Sequence, residues 1–103
     1  MTVKLTVLYG VPDDPEAFDK HYREVHMPIV ARYPGLERAE LARVTGGPGG
    51  MPAPYHQIAE LYFADMDALN NALASEAGRE SGRDFMATAP KGSFMTVSEL
   101  VDL

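Results

Sequence analysis

The 103-residue sequence predicts an α+β fold in which helices cover one face of a four-stranded antiparallel sheet. The predicted elements follow the order strand, helix, strand, strand, helix, strand. Residues 55–64 alternate along their length, which gives that strand one apolar face and one mixed face. Both helical segments begin at an aspartate, a residue that commonly caps helix N-termini. This order is the split βαβ arrangement of ferredoxin-like folds, in one domain spanning residues 1–103.

The first strand and the first helix are the most clearly marked elements. Val3–Tyr9 alternates between apolar and mixed residues, as expected for a strand with one buried face. Asp14 is placed to cap the helix that follows, and Pro15 fits its first position. The helical pattern continues to about Arg32, where the proline and glycine of residues 33–35 end it.

The remaining predicted elements are separated by stretches rich in glycine and proline. They are strands at residues 36–45, 55–64 and 94–101, a helix at residues 65–75 and a short helix at residues 83–88. Gly78 and Gly82 are expected to interrupt the second helical region. The glycine-rich stretch 46–50 lacks the Lys-Ser/Thr pair and the helix that follow a phosphate-binding loop. We therefore expect a hairpin connection or a mobile flap there.

Composition narrows the classes of protein to which the chain can belong. The net charge of −6 argues against binding nucleic acid, which requires a basic surface. Because the sequence has no cysteine, disulfides and thiolate metal sites are excluded. No apolar run approaches the ~20 residues of a membrane span, and we find no secretory signal. A cytoplasmic protein without a membrane partner is expected.

The stretch from His21 to Pro28 is the strongest candidate for a functional site. Pro28 falls within the helical pattern, where it lacks a backbone donor and clashes with the carbonyl of Glu24, so a kink or break is expected. The stretch holds His21 and His26, which are five residues apart and therefore roughly 140° apart around an ideal helix. That separation is poor for sharing one ion, so no metal site is predicted.

Tyr22 and His26 are four residues apart and share one face of the same helix. If that face borders a cleft between helix and sheet, the pair can transfer a proton or polarise a carbonyl group. The alternative is structural, with His26 at the margin of the apolar face and its ring hydrogen bonded to the backbone. Spacing alone leaves both interpretations open.

Six further residues are candidates for binding a substrate in such a cleft. They are Tyr9, Phe18, His21, Val30, His56 and Phe63. The aromatic residues and Val30 lie on or beside predicted apolar faces, and ordinary core packing is the alternative for each. His21 lies near the edge of the apolar helix face that is opposite to His26. His56 begins the third strand, either as a surface residue or at the rim of the pocket.

The spacing of Phe18, Tyr22, His26 and Pro28, with the helix exit at residues 34–35, resembles the EthD family. The resemblance spans nearly the whole chain. It implies a ferredoxin-like monomer whose sheet packs face to face with that of a second copy, forming a dimeric α+β barrel. It also singles out His26, and then Tyr22, as functional positions. The family name refers to degradation of ethyl tert-butyl ether, and related barrels include cofactor-free monooxygenases, cyclases and haem-degrading enzymes.

The function admits two main hypotheses. In the first, the homodimer is an enzyme without cofactor or metal that acts on a small apolar or aromatic oxygenated molecule. His26 would act as general acid or base, and Tyr22 would orient the substrate or donate to it. In the second, the protein is a non-catalytic carrier or accessory protein of an oxidative degradation pathway. A haem site with His26 as axial ligand is a third alternative, which only the resemblance suggests.

Overall fold

The computed structural model describes residues 1–103 and contains one four-stranded antiparallel sheet. Its strands are β1 (Val3–Tyr9), β2 (Arg38–Arg43), β3 (Gln57–Phe63) and β4 (Phe94–Glu99). They lie in the order β2-β3-β1-β4, so β1 and β3 form the centre of the sheet. The helices pack on one face of these strands, which confirms the predicted ferredoxin-like architecture.

Two helical regions cover the sheet. They comprise α1 (Pro15–His21), a π-helical segment (Tyr22–His26), α2 (Met27–Val30), α3 (Met66–Ala74) and α4 (Glu76–Thr88). The aspartates predicted as caps do cap helices: Asp14 accepts from the N–H of Ala17, and Asp65 accepts from the N–H of Ala68. None of the helices has the length and apolar character needed to span a lipid bilayer.

The core lies between the helices and the inner face of the two central strands. The inward side chains of β1 are Val3, Leu5, Val7 and Tyr9, all of them buried. Phe63 and Leu61 of β3 lie directly opposite Val3 and Leu5 and are buried as well. Burying an apolar side chain of this size contributes roughly 1.5–3 kcal/mol, so these pairs hold the sheet against the helices.

The predicted irregularity at Pro28 takes the form of a π-helical segment rather than a break. The N–H of Met27 donates to the carbonyl of Tyr22, five residues earlier instead of four. The wider turn shifts the helix register, and Pro28 then lies in the first turn of α2, where a missing N–H costs little. The helix continues with a hydrogen bond of 2.9 Å from the N–H of Ala31 to the Met27 carbonyl.

The second helical region is longer than the sequence predicts, because α4 spans Glu76–Thr88 and not only residues 83–88. Gly78 does not interrupt it. Ser75 caps the helix by accepting a 3.1 Å hydrogen bond from the N–H of Gly78. A Cβ at position 78 would lie 2.2 Å from the carbonyl oxygen of Ala72 in α3. The glycine thus permits close packing of α3 on α4 and is no helix breaker here.

Both edge strands are shorter than predicted. The sequence suggests strands at residues 36–45 and 94–101, whereas β2 and β4 span six residues each. Each edge strand has a single neighbour, so it extends only as far as its hydrogen bonds to that neighbour. Residues 38–43 of β2 pair with residues 57–62 of β3, for example.

The outer face of the sheet carries a charged cluster on β1, β2 and β3. Glu40 lies opposite Glu60, and the hydroxyl of Tyr62 lies 3.0 Å and 3.1 Å from their carboxylates. Lys4 donates to Glu60 at 3.2 Å, and the Arg38 guanidinium lies 4.2 Å from the centre of the Tyr62 ring. Arg38 Nε also lies 3.7 Å from the carboxylate of Glu40, so each glutamate has a cationic partner on a face that no helix covers.

Candidate active site

A cavity of about 180 Å³ lies between the helices and the inner face of the sheet. Ten of its 14 lining residues are hydrophobic, among them Leu5 and Val7 of β1 and Phe85 of α4. The groups with polar atoms at its wall include His26, Tyr9, Tyr22, Tyr33 and Ser81. An apolar cavity with a few convergent polar groups is the usual form of a small-molecule site.

His26 lies on the helix side of this cavity and is 8% exposed. Its Nδ1 is 2.8 Å from Oδ2 of Asp84 in α4. Because an ionised carboxylate only accepts hydrogen bonds, Nδ1 carries a proton, and in the neutral ring Nε2 carries the lone pair. The hydrogen bond of the ring to another side chain is made by Nδ1, and Nε2 makes none. The carboxylate therefore fixes the ring and its tautomer and leaves the second nitrogen free to accept a proton.

Asp84 holds a second histidine through its other oxygen, since Nε2 of His21 is 2.7 Å from Oδ1. Ideal helix geometry predicts that His21 and His26 point roughly 140° apart. That prediction is wrong because the chain between them is π-helical, and i to i+5 hydrogen bonding brings residues five apart back to one side. Both rings consequently contact one residue of α4.

Three phenol groups at the cavity wall stay protonated at neutral pH. Burial raises the pKa of Tyr9, and the neighbouring Tyr22 raises it further. Burial raises the pKa of Tyr22 to about 12. Burial also raises the pKa of Tyr33. Protonated phenols donate hydrogen bonds, so the cavity presents donors to an oxygen of a bound molecule.

The Tyr33 hydroxyl is already engaged within the protein. The Ser81 hydroxyl donates to the carbonyl of Gly78 at 3.0 Å, and the Tyr33 hydroxyl hydrogen bonds to the same Ser81 oxygen. Because serine has one hydroxyl hydrogen, Tyr33 is the donor in this second bond. The Tyr9 hydroxyl hydrogen bonds to Tyr22, so Tyr22 is the phenol left to donate to a bound molecule.

The tyrosine–histidine pair expected from the sequence is in contact. The rings of Tyr22 and His26 stack with centroids 5.3 Å apart and planes 25° apart. Tyr9 meets Tyr22 edge-on, with centroids 5.3 Å apart. The structure thus brings three of the candidate residues together at one cavity. Aromatic contacts of this kind fix ring positions and add about 0.5–1.5 kcal/mol each.

Two candidate substrate-binding residues are buried in the core and do not line the cavity. Val30 and Phe63 are packed within the core, with 3% and 0% of their surface exposed. Val30 follows the π-helical segment, and its altered register directs that side chain into the core. Phe63 lies at the end of β3, beyond the last cavity-lining residue of that strand, Leu61.

Phe18 and His21 border a separate outer cleft of about 520 Å³ rather than the inner cavity. Asp13 and Lys91 lie on the loops that form the rest of this cleft. The Phe18 ring contacts Tyr9, with centroids 5.4 Å apart. Phe18 therefore stands between the outer cleft and an inner residue of the cavity.

His56 also lies outside the cavity, at the start of β3. Its Nε2 is 2.8 Å from Oδ1 of Asp19 in α1, and Arg43 reaches the same oxygen at 3.0 Å. Burial raises the pKa of Asp19, but the hydrogen bonds and charges of His56 and Arg43 outweigh burial and hold it below its usual range. The three side chains link α1 to two strands, which is a structural role.

Sequence reasoning missed Asp84, the residue that joins the two histidines. Only a short, weak helix was predicted around it, so no helix face was assigned. In α4, Gly78, Ser81 and Phe85 recur at helical spacing and all line the cavity. A helix over residues 76–88 places Asp84 next to this stripe. The two glycines of the helix concealed that signal, because glycine normally argues against a helix.

The residues around the cavity do not fit a haem group. A volume of about 180 Å³ is below the roughly 300–1,000 Å³ of pockets for drug-sized ligands, and a tetrapyrrole is at least that large.

The fold and the site define a small ferredoxin-like α+β protein with a histidine at an apolar cavity. Residues 12–88 match the family model of the EthD domain. The chain belongs to the EthD family. A relative from Rhodococcus erythropolis, an uncharacterized 11.0 kDa protein in the thcB-thcC intergenic region, is 31% identical over 96 residues. That match covers 93% of this chain and 92% of the relative.

Solved structures show the same fold. An EthD family protein from Bacillus halodurans C-125 is 35% identical with a TM-score of 0.91, covering 98% of this chain and all of that one. SnoaB, a cofactor-independent oxygenase from Streptomyces nogalater, has a TM-score of 0.72 at 20% identity over 99% and 95% of the two chains. A dimeric ferredoxin-like protein from Jannaschia sp. CCS1 has a TM-score of 0.73 at 17% identity over 97% and 100%.

Proposed function

We propose that the protein is a cofactor-independent enzyme that moves a proton on a small, largely apolar, oxygenated molecule. The observation that carries this proposal is the contact between His26 and Asp84. One ring nitrogen is held by the carboxylate, and the other is free where the ring borders an apolar cavity. Histidine oriented in this way is a common general base in enzymes. The likeness of the fold to SnoaB, a cofactor-independent oxygenase, is in keeping with this chemistry.

The reaction begins with removal of a proton from a carbon next to a carbonyl group. Nε2 of His26 accepts the proton, and the electron pair of the C–H bond moves to the carbonyl oxygen to give an enolate. Asp84 stabilises the imidazolium that forms. Tyr22 donates a hydrogen bond to the enolate oxygen, because its phenol remains protonated and accepts from Tyr9 instead of donating to it. Return of the proton at another position isomerises the molecule.

The dimensions and lining of the cavity select the substrate class. About 180 Å³ suits a molecule smaller than a typical drug, and the wall of Leu5, Val7, Leu61 and Phe85 favours an apolar or aromatic body. Its few polar groups lie near His26, so the oxygenated end of the molecule belongs there. A strongly anionic substrate is disfavoured, since no lysine or arginine lines this cavity.

Carbon-acid exchange in heavy water tests the proposal without knowledge of the natural substrate. A panel of small aliphatic and aryl ketones and β-diketones is incubated with the protein, and replacement of α-hydrogens by deuterium is followed by NMR. We expect exchange above the buffer rate for compounds that fit the cavity. His26→Asn should slow it by about 100-fold or more. Asp102→Asn, in the exposed C-terminal tail, should not affect it.

The carrier hypothesis makes a different prediction in the same experiment. The contacts of Asp84 with His21 and His26 also tie the first helical region to α4, which is the observation that favours a structural role. Binding of panel compounds without any exchange would support a carrier. Equal exchange rates for folded His26→Asn and wild type would show that His26 is not the base.

We also propose that two copies pair through the outer faces of their sheets. A row of largely apolar residues crosses that face in register: Ala42, Ile58, Leu8 and Phe94. Phe94 is 44% exposed in the monomer, and a dimeric neighbour has the same fold. Phe94→Glu should therefore yield monomers in analytical ultracentrifugation. Val25→Glu, at an exposed apolar residue on the helical side, should remain dimeric.

A further inference from the structure

One carboxylate holds both histidines of the site, and the two rings face different surroundings. His26 borders the inner cavity, whereas His21 borders the outer cleft and has a side chain that is 35% exposed. Asp84 carries a single negative charge, so it can balance one imidazolium at a time. Protonation of one ring must therefore affect the cost of protonating the other.

We propose that His21 is a positioning residue that sets the base strength of His26 through Asp84. The proposal rests on the enzymatic function proposed above and gives His21 no contact with the substrate. When His21 is neutral, its Nε2–H holds Oδ1, and the whole charge of Asp84 supports the imidazolium formed at His26. When His21 takes a proton from solvent, the Asp84 carboxylate balances the positive charge of His21. That charge also repels a second positive charge on His26.

The geometry makes this coupling strong. The two ring nitrogens lie 2.7 Å and 2.8 Å from opposite oxygens of one carboxylate. The side chain of Asp84 is 14% exposed and that of His26 is 10% exposed, so solvent screens the interaction only partly. Both histidines belong to one continuous helical region, and Asp84 faces them from α4. Replacing His21 therefore changes the surroundings of His26 without altering the cavity wall.

Other charged groups near these rings do not replace Asp84. Asp13 and Lys91 border the outer cleft with His21, but they have opposite charges. On the cavity side, the groups facing His26 are the phenols of Tyr9, Tyr22 and Tyr33, which are neutral. Asp84 is the charged residue that both rings contact directly.

Two substitutions at position 21 distinguish the effect of the hydrogen bond to Asp84 from the effect of a positive charge at this position. His21→Gln supplies a neutral amide donor of similar reach, and His21→Lys supplies a donor with a fixed positive charge. We expect α-hydrogen exchange of a bound ketone at pH 8.5 to be about threefold to tenfold slower in the Lys variant than in the Gln variant, because the fixed charge weakens the base. The difference should appear in kcat and not in KM, because His21 does not touch the substrate.

The wild type should also respond to pH differently from His21→Gln. A positive charge on His21 opposes a positive charge on His26 and keeps more of the His26 base unprotonated, so the exchange rate of the wild type should fall less steeply between pH 8 and pH 5.5 than that of the Gln variant. Equal rates for the Lys and Gln variants at pH 8.5 would overturn the proposal.

NMR of the His26 ring tests the coupling separately from the proposed enzymatic function, because the measurement requires no substrate. In the wild type the His26 signal should change in two steps with pH, one for each proton taken up by the coupled pair. In His21→Gln it should change in one step. The same single step in both proteins would refute the coupling, even if His26 proves to be the base. Two steps in a protein without exchange activity would retain the coupling and reject the enzymatic function.

Discussion

Nδ1 of His26 lies 2.8 Å from Oδ2 of Asp84, a residue 58 positions further along the chain. The contact joins the π-helical segment to α4 at the edge of the cavity. It holds the two helical regions together, and it also determines which nitrogen of His26 is free. The structural and chemical consequences of this one contact can be measured separately.

Asp84→Asn should reduce both stability and activity, but by different amounts. The variant keeps the size of the side chain and loses the charge that both imidazoles contact. We expect a loss of about 1–3 kcal/mol in urea unfolding. The ketone exchange rate of the folded protein should fall by roughly 10²–10⁴, because the tautomer and the imidazolium are no longer supported.

The control for this variant is again Asp102→Asn, which removes an exposed carboxylate from the C-terminal tail. It should match the wild type in both measurements. If Asp84→Asn lost activity only in proportion to its unfolded fraction, the carboxylate would be structural and the catalytic role assigned to it would be wrong.

Gly78→Ala should destabilise the protein although alanine normally favours helices. A Cβ there would lie 2.2 Å from the Ala72 carbonyl oxygen and 2.5 Å from that of Leu73, and backbone atoms cannot easily move aside. We expect a loss of about 1–3 kcal/mol in urea unfolding. Gly82→Ala is the matched control in the same helix, since a Cβ there meets nothing within 4 Å. It should gain up to about 1 kcal/mol, and equal losses in both variants would contradict the packing argument.

Stability should fall above pH 10 partly because of Tyr22. Burial raises the pKa of Tyr22 to about 12, whereas an unfolded tyrosine ionises near 10. Between these values the unfolded chain releases a proton that the folded protein keeps, so unfolding becomes more favourable as pH rises. Tyr22→Phe removes this contribution. Its free energy of unfolding should decline less steeply from pH 9 to pH 11 than that of the wild type, and parallel declines would contradict the burial of this phenol.

Asp19 should contribute to stability at neutral pH and lose that contribution in acid. The contacts with His56 and Arg43 hold its pKa below the usual value, so stability is present above the unfolded pKa of about 3.9 and disappears as pH falls through the lower folded pKa. Asp19→Asn should lower the melting temperature at pH 7, and the gap from wild type should narrow below about pH 4. A gap of constant size across this range would exclude the ionic contribution.

The sequence was sufficient to predict the fold because local signals agreed with one another. The alternation of Val3–Tyr9, the capping residues Asp14 and Asp65, and the order of elements all indicate the observed architecture. The predicted edge strands are longer than the observed ones, because the length of an edge strand depends on pairing with its neighbour, which local sequence does not reveal.

The candidate site was predictable only in part. Tyr22 and His26 were found by spacing, because a separation of four residues gives a shared face in most helical geometries. The approach of His21 to the same carboxylate was not, because it depends on a π-helical segment for which ideal helix geometry makes no allowance. Asp84 was also missed, since the contact crosses from one helical region to another and is set by tertiary packing.

The central claim is that His26 presents an unprotonated nitrogen to the cavity, and ¹⁵N NMR of the histidine rings tests it most directly. Spectra are recorded at pH 8.5 on the wild type and on Asp84→Asn, with and without a small aryl ketone. We predict that His26 carries its proton on Nδ1, that Nε2 is unprotonated, and that the ketone shifts the Nε2 signal. A His26 ring protonated on Nε2, or an Nε2 signal unaffected by every compound that binds, would contradict the account.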